Sequence, residues 1–182
     1  MVDLGILQSV SYMAAALSVS IYLLNLILTN RREERNKRIT LSSNIVQALS
    51  SVDDLRNVGD LLNMEWSDVE DFRMKYDSNV NPQNYAMRFS YWYKLENLGF
   101  LLKAGLVDRD LIYDAGGWMS IWIWVKFRSI IEEYRKIVWG KDAFKNMEYL
   151  TREMWRMRRE RVPDFVMDSS YSSLDFEKAF SP

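Results

Sequence analysis

From Leu4 to Asn30 the chain has no charged side chain, and the next eight residues, Arg31 to Arg38, hold five lysines and arginines. As a helix rising about 1.5 Å per residue, that uncharged run is roughly 40 Å long, against a bilayer hydrocarbon core of about 30 Å. The pattern predicts one tilted transmembrane span with a stop at its basic end. A cleaved signal peptide is the competing reading, with Ala14-Ala15-Ala16 offering small residues for cleavage. Such a peptide has a basic start and a shorter apolar core. Here the only charged side chain before the run is Asp3, which favours a retained anchor.

The flanks also set an orientation. The positive-inside bias places the N-terminus outside and everything after Arg31 in the cytoplasm, at the plasma membrane. Arg31, Arg32, Arg35, Lys37 and Arg38 are then the membrane-surface candidates, facing anionic lipid headgroups. The span is flecked with polar and small residues. Ser11 and Ala15, or Ala14 and Ser18, are four apart and share a face, the spacing that lets two helices approach closely. Asn25 can hydrogen-bond across such a contact. Ser11, Ala15, Ser18 and Asn25 are therefore candidate residues for contact with another membrane protein or a second copy.

Composition narrows the chemistry. The chain has no Cys and no His, and its formal charge is −1. Disulfides are excluded, as are Ser-His-Asp and Cys-His nucleophiles, ordinary zinc sites and His- or Cys-ligated haem. No cofactor or metal is expected. The loop Asp108-Arg109-Asp110-Leu111-Ile112-Tyr113-Asp114 is acidic, but Tyr113 and Met119 stand where a calcium loop needs Gly and Glu. Glu96, Asp114, Glu132 and Glu133 are the remaining candidates for paired carboxylates. Glu132 and Lys136, four apart, read more simply as a surface ion pair. The expectation is a non-enzyme.

Residues 39–162 are enough for one domain with a real core, and the periodicity is helical throughout. Leu41, Ile45, Leu49, Val52 and Leu55 form an apolar stripe that would run on from the membrane helix. Asp53 to Asp77 holds eight acidic and three basic residues and reads as a packed helix with an acidic outer face. Asn81-Pro82 is an N-cap followed by a first-turn proline; Tyr85, Phe89, Trp92, Leu95 and Leu102 continue that helix to Ala104-Gly105. Gly105 suits a left-handed C′ residue, with Leu106 folding back as its apolar contact and Asp108 capping the next helix.

Gly116-Gly117 interrupts that next helix, and Trp118 to Val125, apolar nearly all round, is the expected central core helix. Trp124, Phe127, Ile131, Tyr134 and Val138 continue it until Gly140. In the last helix Ala143, Met147, Leu150, Met154 and Met157 make a narrow seam for another helix. Six Lys/Arg against three Glu occupy its other faces. Nucleic acid is not an expected partner, because the chain has no single-sign basic face. The arginines are expected to face solvent or the acidic 53–77 segment. Trp118 and Trp122 are candidates for a partner surface, or for a ligand pocket with Trp92 and Trp124; Met147, Leu150, Met154 and Met157 are likewise candidates for a partner interface. Residues 163–182 read as an acidic, Ser-rich tail that clips onto a surface through Phe165, Tyr171, Phe176 and Phe180.

Three pieces carry a family resemblance: Glu-Trp-Ser-Asp-Val-Glu-Asp-Phe-Arg (65–73), Leu-Glu-Asn-Leu-Gly-Phe-Leu-Leu-Lys-Ala-Gly-Leu-Val-Asp (95–108) and Ile-Ile-Glu-Glu-Tyr-Arg (130–135). They resemble a bacterial and archaeal family of uncharacterised, single-span, membrane-anchored helical proteins, a domain of unknown function. The resemblance implies a helical fold with an N-terminal anchor and supplies no catalytic residues. The expected architecture is all-α: an anchor (1–30), a basic juxtamembrane segment (31–38), a cytoplasmic multi-helix bundle (39–162) and a tail (163–182). Its expected role is that of an accessory, scaffolding or regulatory subunit of a membrane complex, the alternative being a tethered sensor for a small apolar ligand or lipid.

Overall fold

A computed structural model describes residues 25–37, 39–41, 43–45, 47, 49, 51–163 and 179–180, in two compact units, Met1–Leu41 and Ser42–Pro182. Among these residues every regular element is helical. In the first unit, residues 25–37 form helix α1, exposed along its whole length. No helix of the described residues is long and apolar enough to cross a membrane. Most of the expected span, including Ser11, Ala15 and Ser18, lies outside the described residues, as does Arg38.

The second unit contains α2 (Val52–Leu62), α3 (Val69–Tyr76), α4 (Pro82–Lys103), the short α5 (Arg109–Ile112), α6 (Met119–Tyr134) and α7 (Lys145–Arg161). The apolar stripe expected to run unbroken through Leu55 stops at Ser51. Its extended backbone and its hydroxyl, accepting from the Asp54 N–H at 3.1 Å, cap a new helix. Ile45 and Leu49 are buried, whereas Val52 and Leu55 are exposed, because the restart resets the helical phase. The acidic segment is likewise two helices rather than one: Asp68 accepts from the Asp71 N–H at 2.9 Å and starts α3.

α4 and α7 pack along one another, α6 packs against α7, and α2 and α3 each touch both α4 and α6. Trp92, Trp124, Phe72, Phe127, Leu95 and Ile131 are fully enclosed between them. Asn81 caps α4 through a 3.1 Å bond to the Asn84 N–H, with Pro82 following. Its C-terminus is a Schellman turn, with Leu106 N–H on the Leu101 carbonyl and Gly105 N–H on that of Leu102, both at 3.0 Å. Leu106 itself remains exposed and Val107 is the buried residue. Asp108 holds the N-cap position of α5 without a side-chain capping bond.

Two π-helical segments bracket α6: Tyr113–Gly117 and Arg135–Trp139. In the first, Gly116 takes φ +99°, and a Cβ on Gly117 would meet the Ile112 carbonyl oxygen at 2.6 Å. In the second, the wider turn slips the 3,4,3,4 phase by one residue. Val138, expected inside, is 64% exposed, and Trp139 turns in to stack on Tyr134 with centroids 4.6 Å apart.

The α4–α7 crossing depends on Gly99. A Cβ there would overlap the backbone carbonyl of Asn146, which cannot swing away as a flexible side chain would. Gly59, in α2, has nothing within 4 Å of its added Cβ. The two glycines therefore respond oppositely to alanine. Gly59→Ala is expected to raise stability by about 0.5–1 kcal/mol through helix propensity. Gly99→Ala is expected to lower it by about 2 kcal/mol or more through overpacking. Denaturant unfolding of the two variants checks this directly.

Candidate functional site

The turn between α6 and α7 holds two left-handed backbone positions. Gly140 has φ +80°, and Phe144, the residue before α7, sits at φ 57° and ψ 28°. A left-handed phenylalanine costs about 1–2 kcal/mol. Its ring offsets that cost by wedging between Phe89, Trp92, Tyr93 and Trp139, with centroids 5.5 to 5.7 Å away and steep interplanar angles. α7 consequently starts at Lys145, and Ala143 belongs to the turn rather than to the Met seam.

Phe144 gives α7 no side-chain cap, so the first N–H groups of the helix need another acceptor. Glu96 supplies it from α4. One carboxylate oxygen accepts the Met147 backbone N–H at 2.7 Å and the other accepts Asn146 Nδ2 at 2.9 Å. Arg135 secures the other side of the turn, donating from Nε to the Ala143 carbonyl at 2.7 Å and from Nη1 to Glu148 at 3.0 Å. Between these walls lies an open groove of about 340 Å³, lined by Phe89, Tyr93, Glu96, Trp139, Asp142, Ala143 and Phe144. Lys145 bonds to Asp142 and holds its carboxyl below the usual value.

Deeper in the body, Arg88 is 1% exposed. Its guanidinium lies 4.5 Å from the Phe72 centroid, 5.3 Å from Trp92 and 5.6 Å from Tyr85, and donates to the Tyr76 carbonyl at 3.2 Å. Burial lowers its pKa to about 10 despite the nearby Tyr134 and Asp77. Tyr134 donates its hydroxyl to Asp77, and burial together with that bond pushes its pKa up to about 12. Through Tyr134, which stacks on Trp139, this buried cluster abuts the groove.

The residues singled out by sequence distribute unevenly. Trp118 and Trp122 are half-buried and pack edge to face at 6.0 Å, with Arg158 over Trp118 at 5.5 Å. Trp92 and Trp124 are fully enclosed, and none of the four lines the aromatic groove. Met147, Leu150, Met154 and Met157, expected at a partner interface, are instead buried in the chain's own bundle by α4 and α6, which leaves them no surface for another protein. Asn25, Arg31, Arg32, Arg35 and Lys37 are exposed on α1.

Of the four carboxylates, Glu96 caps α7, Asp114 bonds to Arg161, and Glu132 pairs with Arg128 at 2.6 Å. Lys136, expected on Glu132, pairs with Glu133 at 3.1 Å because the π segment rotates it away from its i−4 partner. No group of carboxylates suited to a metal occurs among the described residues. The arginine side of α7 ties to the 109–114 turn through Arg161, with Asp110 at 2.6 Å, rather than to the 53–77 segment. Asp54 of that segment is held by Lys94 of α4. In the tail, Ala179 is buried and Phe180 stacks on Trp155 at 5.2 Å and 12°; Phe165, Tyr171 and Phe176 lie outside the described residues.

Among the described residues, fold and site define a helical bundle with an aromatic groove, whose ionisable groups mostly tie helices together. The chain belongs to the family described as a domain of unknown function, DUF4760, whose model matches residues 12–155. No curated protein and no solved structure matches it.

Replacing the Glu96 carboxylate tests whether it organises this end of the body. Glu96→Ala is expected to cost about 1–3 kcal/mol, the range for losing a charge-assisted bond to buried partners. Met147 amide exchange should accelerate more than that of Met154. A variant as stable as the parent contradicts the assignment.

Proposed function

We propose that the chain is a membrane-tethered helical binding module, an accessory, scaffolding or regulatory subunit that works through contacts with other membrane proteins or with itself. The observation that carries the reading is the boundary on α1. Leu26, Ile27 and Leu28 are 45%, 49% and 49% exposed, and the helix continues directly into exposed Arg31, Arg32, Arg35 and Lys37. Bare leucine and isoleucine are costly in water and suit lipid, while the arginines suit anionic headgroups. Together with the uncharged run from Leu4, this favours an anchor with its body on the cytoplasmic side.

The contact surface proposed for partners lies at the aromatic groove and its rim. Ile137 and Val138, in the π segment that carries Trp139, are 54% and 64% exposed, and Tyr93 is 51% exposed. Exposed apolar groups beside an aromatic concavity are a common mark of interaction sites. The groove also favours a second reading, a tethered sensor for a small ligand, placed at Phe89 and Trp139 rather than at Trp118 and Trp122.

Membrane fractionation with cross-linking tests the proposal. The full chain is expected in the membrane pellet, resistant to alkaline carbonate and released by detergent, and a chain lacking residues 1–30 in the supernatant. In mild detergent, a photo-reactive residue at Ile137 should capture a second polypeptide or a second copy. A carbonate-soluble full chain, or one that stays a lone monomer, overturns it.

A further inference from the structure

We propose that the groove beside Phe144 binds a small organic ammonium ion. The inference rests on the ligand-binding reading of the groove and is independent of the tether. Three of its ring pairs meet steeply: Trp139–Phe144 at 72°, Tyr93–Phe144 at 70° and Phe89–Phe144 at 85°, with centroids 5.5 to 5.7 Å apart. Each such pair sets a ring edge against a ring face, and a cation within about 6 Å of any face left open to the groove is attracted to it. The only ionisable side chains among the lining residues besides Tyr93 are two carboxylates, Glu96 and Asp142.

No cation stands among the lining residues; Lys145, Arg135 and Lys141 all act on Asp142, so the feature that favours a cation is Glu96. Asp142 shares its charge with Lys145. Arg135 is engaged by the Ala143 carbonyl and by Glu148. Glu96 is bonded only to neutral donors, the Met147 and Asn146 N–H groups, and no Lys or Arg pairs with it among the described residues. Its negative charge is answered only by the N-terminal end of α7, a partial charge.

A neutral apolar guest would cover that carboxylate without replacing its water, which is costly. An anion would meet that same carboxylate, with which no Lys or Arg pairs among the described residues. An alkylammonium meets both demands, its methyl groups against the rings and its charge near the carboxylates. The groove, about 340 Å³, lies at the small end of ligand sites, which suits a compact head rather than a long lipid chain.

The experiment uses the full chain in detergent micelles at constant ionic strength. The indole N–H resonance of Trp139, assigned with Trp139→Phe, is followed during titration with tetramethylammonium, with tert-butanol as a neutral probe of similar shape, and with a lysine-containing peptide. Saturable shifts are expected with tetramethylammonium and not with tert-butanol. Tyr93→Ala, an exposed position, should weaken binding about threefold, the scale of one exposed cation–π contact. Asp142→Asn, also exposed, should weaken it as well. Equal shifts with tert-butanol would leave a ligand site and overturn the cation. Shifts with the peptide alone would overturn the small ligand in favour of a protein partner. No saturable shift with any probe would overturn both the inference and the ligand reading beneath it.

Discussion

The carboxylate of Glu96, set on the first turn of α7, is the contact from which the shape of this end of the body follows. Helix α7 begins after a left-handed phenylalanine and so has no cap of its own. The acceptor comes from a different helix, and it reaches because α4 and α7 touch almost backbone to backbone at Gly99 and Asn146. Glu96 and Gly99 are three residues apart and lie on one face of α4. The missing side chain at one position lets the other's carboxylate reach the orphaned Met147 N–H and the Asn146 side-chain amide. With α7 held there, Phe144 has a fixed pocket among Phe89, Trp92, Tyr93 and Trp139, and the groove is bounded by Phe89, Tyr93, Trp139 and Phe144 itself.

A second polar device works in the opposite environment. Arg88 is a charge with almost no water around it, and such burial is expensive unless hydrogen bonds and rings replace the lost solvent. Here the Tyr76 carbonyl and three aromatic rings share that role, fastening the C-terminal end of α3 to α4. Tyr134 connects this cluster to the groove, because its hydroxyl serves Asp77 while its ring supports Trp139. The aromatic floor of the groove is thus anchored by buried polar contacts on one side and by the Glu96 cap on the other.

Local signals in the sequence were readable where one residue enforces the geometry. Asn81-Pro82 began α4, Gly105 closed it in a Schellman turn, Gly116 broke the next helix, and the 3,4,3 run of Met147 to Met157 went into the core. What escaped is what depends on phase or on distant partners. Ser51 restarts the helical register, and no apolar spacing announces that. The π segment at 135–139 swaps Val138 for Trp139, a slip that a regular period conceals. Glu96 stood out as a possible acid. Its capping role became visible only once folding brought residue 147 beside it.

The same division applies to function. The proposed anchor is read from the first thirty residues and from Leu26 to Leu28, bare on α1 beside four exposed basic residues, while the proposed binding surface is assembled from α4 and the turn before α7. The proposed binding role requires that turn to be rigid. Native-state hydrogen exchange at the Met147 amide measures this most directly. If Glu96 and Gly99 lock α7 against α4, Met147 should exchange only through global unfolding, with the protection of Leu95 and Ile131. Exchange at the rate of a frayed helix end would show that α7 starts loose and that the groove has no fixed wall.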